Sequence, residues 1–131
     1  MISPSVIVLF FILLVLVLMI LLIAHKGKPR MNKKHFIRHW KKIEADEDYK
    51  AAVKEADHLL EEALRNAGIK GGTTGERLNN AVGFLSNLNG TWSAHKLRNA
   101  IIENSELQPT AIELQRALRQ YKKALKDLGA L

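Results

Sequence analysis

The run Trp92-Ser93-Ala94-His95-Lys96-Leu97-Arg98-Asn99-Ala100-Ile101-Ile102-Glu103 holds the densest set of side chains able to do chemistry in this chain. On a helix, residues three and four apart share a face. Trp92, His95, Arg98 and Ile102 therefore lie together, and Asn99 stands one turn after His95. His95, three residues before Arg98 on the same face, is the candidate general acid or base of the run. The same residues also have a structural reading. Arg98 then pairs with an acid such as Glu103, while His95 and Asn99 hydrogen-bond inside a helical bundle, and this reading is preferred.

The other polar clusters carry less. His35 and His39 are spaced i, i+4 and can share a helix face, but no third ligand follows from the pattern, so no metal is expected. Asp57, Glu61 and Glu62 read as a solvated acidic face, with His58 among the same surface charges. Lys70-Gly71-Gly72-Thr73-Thr74-Gly75-Glu76 has no preceding strand and no Gly-Lys-Ser/Thr ending, which a phosphate loop needs. Thr73-x-x-Glu76 is a capping box instead. There is no cysteine, so disulfides and thiolate chemistry are absent. Nothing in the sequence asks for a cofactor.

These residues need elements to hold them, and the first element is of another kind. Val6 to Ala24 is a run of nineteen apolar residues, seventeen of them Leu, Ile, Val or Phe. A helix of this length spans about 28 Å, close to the hydrocarbon thickness of a bilayer. A cleaved secretory signal would need Lys or Arg before a shorter apolar core and a small-x-small site after it. Neither is present, so a retained anchor is expected, with Ser3 as N-cap and Pro4 as the first helical residue. The segment has no small-xxx-small pair to drive helix dimerisation.

Charge then sets the orientation. The net charge is +7, yet eight basic residues and no acid lie between Lys26 and Lys42, whereas the chain from Ile43 onward has 12 basic and 13 acidic residues. Basic flanks stay cytoplasmic, so the expectation is a cell-membrane protein with its N-terminus outside and its domain in the cytoplasm. Lys26, Lys28, Arg30, Lys33 and Lys34 are the candidate contacts to anionic lipid. A domain close to neutrality has no global electrostatic reason to seek nucleic acid.

Everything after the basic stretch has helical periodicity. Lys34 to Ile43 puts Phe36, Ile37, Trp40 and Ile43 on one side. A second helix runs from Asp46 to Ala67 and ends at Gly68. A third carries Leu78, Ala81, Val82 and Leu85, and Asn87 to Gly90 break it. A fourth runs from Thr91 to Glu103. The last begins with Pro109 at its first position and Leu107 stapled to Ile112. It carries the seam Ala111, Leu114, Leu118, Tyr121, Leu125 and Leu128. No stretch alternates with period two. The fold class expected is all-α: an N-terminal transmembrane helix (1–25), a basic juxtamembrane linker (26–34) and an up-and-down bundle of four to five helices (35–131).

The Arg98-Asn99 run resembles the core of HEPN-type helical domains, which include ribonucleases and noncatalytic relatives. The layout is similar too: a long helix ending at Gly68, a helix with Arg98-Asn99, and a final helix ending in Tyr121 to Gly129. Short bacterial proteins that join one membrane helix to such a domain are also similar. The resemblance covers roughly residues 35 to 131, with only the Arg-Asn run specific. It implies that Arg98 is the family arginine and Asn99 the polar residue after it. In active members a histidine a few positions further on aids metal-independent attack of an RNA 2′-hydroxyl on phosphate. Here that place holds Glu103 or Asn104. His95, three residues before Arg98, would have to substitute for it. The expectation is therefore a noncatalytic, membrane-anchored interaction domain that binds a protein partner or itself, with a membrane-tethered HEPN-type ribonuclease as the alternative.

Overall fold

A computed structural model describes residues 1–25 and 31–131, so the Lys26, Lys28 and Arg30 contacts lie outside the described residues. Six helices follow one another: α1 (Pro4–His25), α2 (Lys33–Ala45), α3 (Tyr49–Asn66), α4 (Thr74–Asn79), α5 (Leu88–Glu103) and α6 (Ala111–Asp127). Among the described residues there is no strand.

Helix α1 has 22 residues, a length of about 33 Å. Every large apolar side chain from Val6 to Ile23 is exposed. In water that would be a large cost with no partner to relieve it. By length and composition this one helix can cross a membrane.

The four long helices after it alternate in direction around one core. Tyr49 at the start of α3 meets Gln115 near the start of α6, and Asp57 further along α3 meets Tyr121 further along α6. These two helices therefore run parallel. Lys50 Nζ donates to the carbonyls of Ser105 and Leu107, so α5 ends where α3 begins. His35, near the start of α2, pairs with Glu62 near the end of α3. One end of the bundle thus gathers the start of α2, the end of α3, α4, the start of α5 and the end of α6. The opposite end gathers the α2–α3 turn and the α5–α6 turn.

Local signals set the ends. Asn32, Asp48 and Thr110 cap α2, α3 and α6, each accepting from the backbone N–H three residues on. At Thr110 the Glu113 carboxylate returns to the cap's own N–H at 2.7 Å, completing a capping box. Helix α3 ends in a Schellman turn, with Ile69 N–H on Leu64 O at 3.1 Å, Gly68 N–H on Arg65 O at 2.9 Å and Gly68 at φ +79°. The Glu44 carboxylate accepts from Lys122 Nζ at 2.6 Å and ties α2 to α6. That bond, followed by the Trp40 indole, holds the Glu44 carboxyl below the usual carboxylate range.

Several expectations need correction. Pro109 is not helical; Thr110 caps α6 and Ala111 starts it. Ile112 is 65% exposed, whereas Leu107 is half-buried against the core. The third helix stops at Asn79, which leaves Val82 68% exposed while Ala81 and Leu85 go inside. Ile37 is 39% exposed and lies outside the buried α2 seam of Phe36, Trp40 and Ile43. Asn87 to Gly90 open α5 instead of breaking a helix. Asn87 Oδ1 accepts from Gly90 N–H at 3.0 Å. A Cβ on Gly90 would lie 2.3 Å from Gln120 Oε1 and 2.6 Å from Asn87 Nδ2, so a side chain there would push both amides aside.

Candidate functional site

The polar centre of the bundle is Asp57, and it is 2% exposed. It was expected on a solvated acidic face with Glu61 and Glu62. The structure instead places it at the same helical spacing as Val53, Leu60 and Leu64, which all point into the core. Two hydrogen-bond donors and one guanidinium converge on its carboxylate. His95 Nδ1–H reaches Oδ2 at 2.7 Å. The Tyr121 hydroxyl donates to the same oxygen at 2.8 Å. Arg98 Nε stands 3.5 Å from Oδ1, close enough to pair by charge but without hydrogen-bond alignment. A buried carboxylate is tolerated only with such company. Tyr121 answers in kind: burial above all, then the Asp57 charge and hydrogen bond, pushes its phenol well above the ordinary tyrosine range. It remains a donor.

Arg98 and Asn99 extend the network toward solvent. Arg98 Nη1 donates to Asn99 Oδ1 at 3.0 Å. That contact turns the Asn99 amide nitrogen toward His95 Nε2, 3.4 Å away. The Asn99 amide thus covers Nε2, the ring nitrogen that faces away from Asp57. The edge of Trp92 closes the other side, its ring centre 5.8 Å from that of His95. The indole fits because α4 has Gly75 against it.

The network opens on a cleft of ≈ 520 Å³ whose lining includes Thr73, Thr74, Trp92, His95, Arg98 and Asn99. Glu61 stands on the same cleft. The expected trio of His95, Arg98 and Asn99 is thus brought together. Glu103 is not: it is exposed at the last turn of α5, and Arg98 pairs with Asp57 in its place. Lys33 and Lys34 are exposed at the first turn of α2. His35 and His39 do share a face, with ring centres 4.4 Å apart. His35 is engaged with Glu62 at 2.7 Å, and no group of three potential metal ligands occurs among the described residues.

Chemically the cleft lacks an activated nucleophile. The Thr73 hydroxyl is the α4 cap, accepting from Glu76 N–H at 3.1 Å. A phosphate entering here would meet Arg98, but it would also meet the Glu61 carboxylate. To use His95 as a base it would first have to displace the Asn99 amide. Two members of the network, Asp57 and Tyr121, are absent from the sequence-level site. The spacing of Asp57 with Val53 and Leu60, and a tyrosine hydroxyl inside an apolar seam, were the available signals. In comparisons with known proteins, the chain matches no family model and has no significant match to a curated protein or a solved structure.

Proposed function

We propose that the protein is a single-pass membrane protein, anchored by α1 with its N-terminus outside, whose cytoplasmic bundle acts as a noncatalytic interaction domain. The observation that carries the noncatalytic reading is the closure of the network. His95 is held by Asp57 and covered by Asn99, and Arg98 is held between Asp57 and Asn99. The HEPN-like pair therefore works as a polar clasp joining α3, α5 and α6. What supports an interaction role is the end of the bundle opposite the start of α2. Ile102 (50% exposed) and Ile112 (65%) stand exposed there among the described residues, at a place a protein or a second copy can reach.

Chemical crosslinking of the full chain in its own membranes tests this. A discrete dimer or partner adduct, lost in the Ile102→Asp, Ile112→Asp double variant, is expected. Only monomers in both would contradict the reading.

The second reading, a membrane-tethered ribonuclease, has one observation in its favour: His95, Arg98 and Asn99 line the same cleft. Incubating the full chain in detergent with RNA, beside Arg98→Ala, decides it. The noncatalytic reading expects no cleavage, or cleavage that the variant leaves unchanged.

A further inference from the structure

We infer that the end of the bundle that receives the chain from α1 docks on the surface of an anionic bilayer through the turn Val82-Gly83-Phe84. The inference rests on the reading that α1 spans that bilayer. The turn presents Val82 (68% exposed) and Phe84 (56% exposed) side by side, while Ala81 and Leu85 on either side of it are buried. Gly83 at φ +88° makes the reversal that turns both apolar side chains outward. Two contacts fix where this turn sits. Asn80 Nδ2 donates to the Lys70 carbonyl at 2.8 Å, just past the end of α3. Ser86 donates through both its N–H and its hydroxyl to Asp127, the last residue of α6, at 2.8 and 2.7 Å. The turn therefore lies at the end where α3 and α6 finish and α2 begins.

Charge distinguishes the two ends. Around the turn the exposed cations are Lys33, Lys34, Arg65, Lys70 and Lys126. The acids nearby are Glu61, Glu62, Glu76 and Asp127, of which Glu62 meets His35, Glu76 accepts from Gly72 N–H and Asp127 accepts from Ser86. The opposite end carries Glu44, Asp46, Glu47, Asp48, Glu103, Glu106 and Glu113 against Lys41, Lys42 and Lys50, and so is net acidic. An apolar tip at an end with more cations than acids suits the headgroup region of an anionic leaflet, and the net acidic end is repelled by it. The covalent tether makes the choice geometrical as well. Seven residue steps separate His25, the last residue of α1, from Asn32, the cap of α2. Fully stretched they reach at most about 25 Å, less than the length of α3 at about 27 Å. The basic end is thus held near whatever surface α1 enters.

Because the chain has no cysteine, single-cysteine variants Leu14→Cys, Phe84→Cys and Glu106→Cys each give one labelling site. The full chain carrying an environment-sensitive fluorophore is reconstituted in phosphatidylcholine vesicles with about 30% phosphatidylglycerol, and without it. The expected result is loss of aqueous quenching at positions 14 and 84 with the anionic lipid, and full quenching at 106. Raising salt or omitting phosphatidylglycerol should restore quenching at 84 but not at 14. Position 84 as open as 106, with 14 shielded, would overturn the docking while leaving the anchor intact. Shielding at 84 that ignores lipid charge would also overturn it and point to a protein contact. Position 14 open to the quencher would remove the spanning reading itself.

Discussion

Asp57 holds three helices together through one carboxylate. Removing a single member of a buried charged set costs about 3–5 kcal/mol, because its partners remain buried and unpaired. Asp57→Ala should therefore use up a large part of the 5–15 kcal/mol typical of a domain, measurable by urea unfolding. Tyr121→Phe removes one hydrogen bond to a charged acceptor, about 1.5–3 kcal/mol. It also carries a pH signature. The folded phenol is raised above its unfolded value, so its contribution is complete below about pH 10 and is lost as pH rises further. Between neutral and strongly alkaline pH the wild type should lose more stability than Tyr121→Phe; equal losses would contradict the buried-donor assignment. The sequence made His95, Arg98 and Asn99 legible as one group because helical spacing alone brings them together. It hid Asp57, which stands beside His58 and just before Glu61 and Glu62 and so looks like one more surface acid. Its partners arrive from 38 and 64 residues away, a distance no local pattern records.

The elements follow their caps more faithfully than their apolar stripes. Thr110 and Glu113 form a complete capping box on an exposed first turn, so Thr110→Ala should cost about 1 kcal/mol, seen as a lower melting temperature without change in helix content. No loss would mean that Pro109 alone sets the start of α6. The long seams of α3 and α6 could be read in outline, since apolar residues recur at three and four, but on α6 Ala111 is exposed and the seam runs through Ala117 and Ala124 as well as Leu114, Tyr121 and Leu125. The region between Asn79 and Leu88 could not. Its apolar residues Ala81, Val82, Phe84 and Leu85 continue a helical pattern on paper, yet Gly83 turns the chain and Asn87 restarts it. Asn87 and Gly90 have the composition of a break and the geometry of a helix start, because the Asn87 side chain caps α5 by accepting from Gly90 N–H.

At the scale of the molecule the parts agree. One helix is apolar all round and 22 residues long, and the bundle behind it has an internal polar clasp and ends of opposite charge. The all-helical class was legible because no stretch alternates with period two and the caps are strong. The polarity of the bundle was not, since it depends on which helices run parallel. The most direct test of the anchored architecture is labelling of single cysteines in intact cells with a membrane-impermeant maleimide. Ile2→Cys should react in intact cells, whereas Glu106→Cys should react only after lysis, with both proteins in the membrane fraction. Reaction of Glu106→Cys in intact cells, or recovery of the chain in the soluble fraction, would contradict the account.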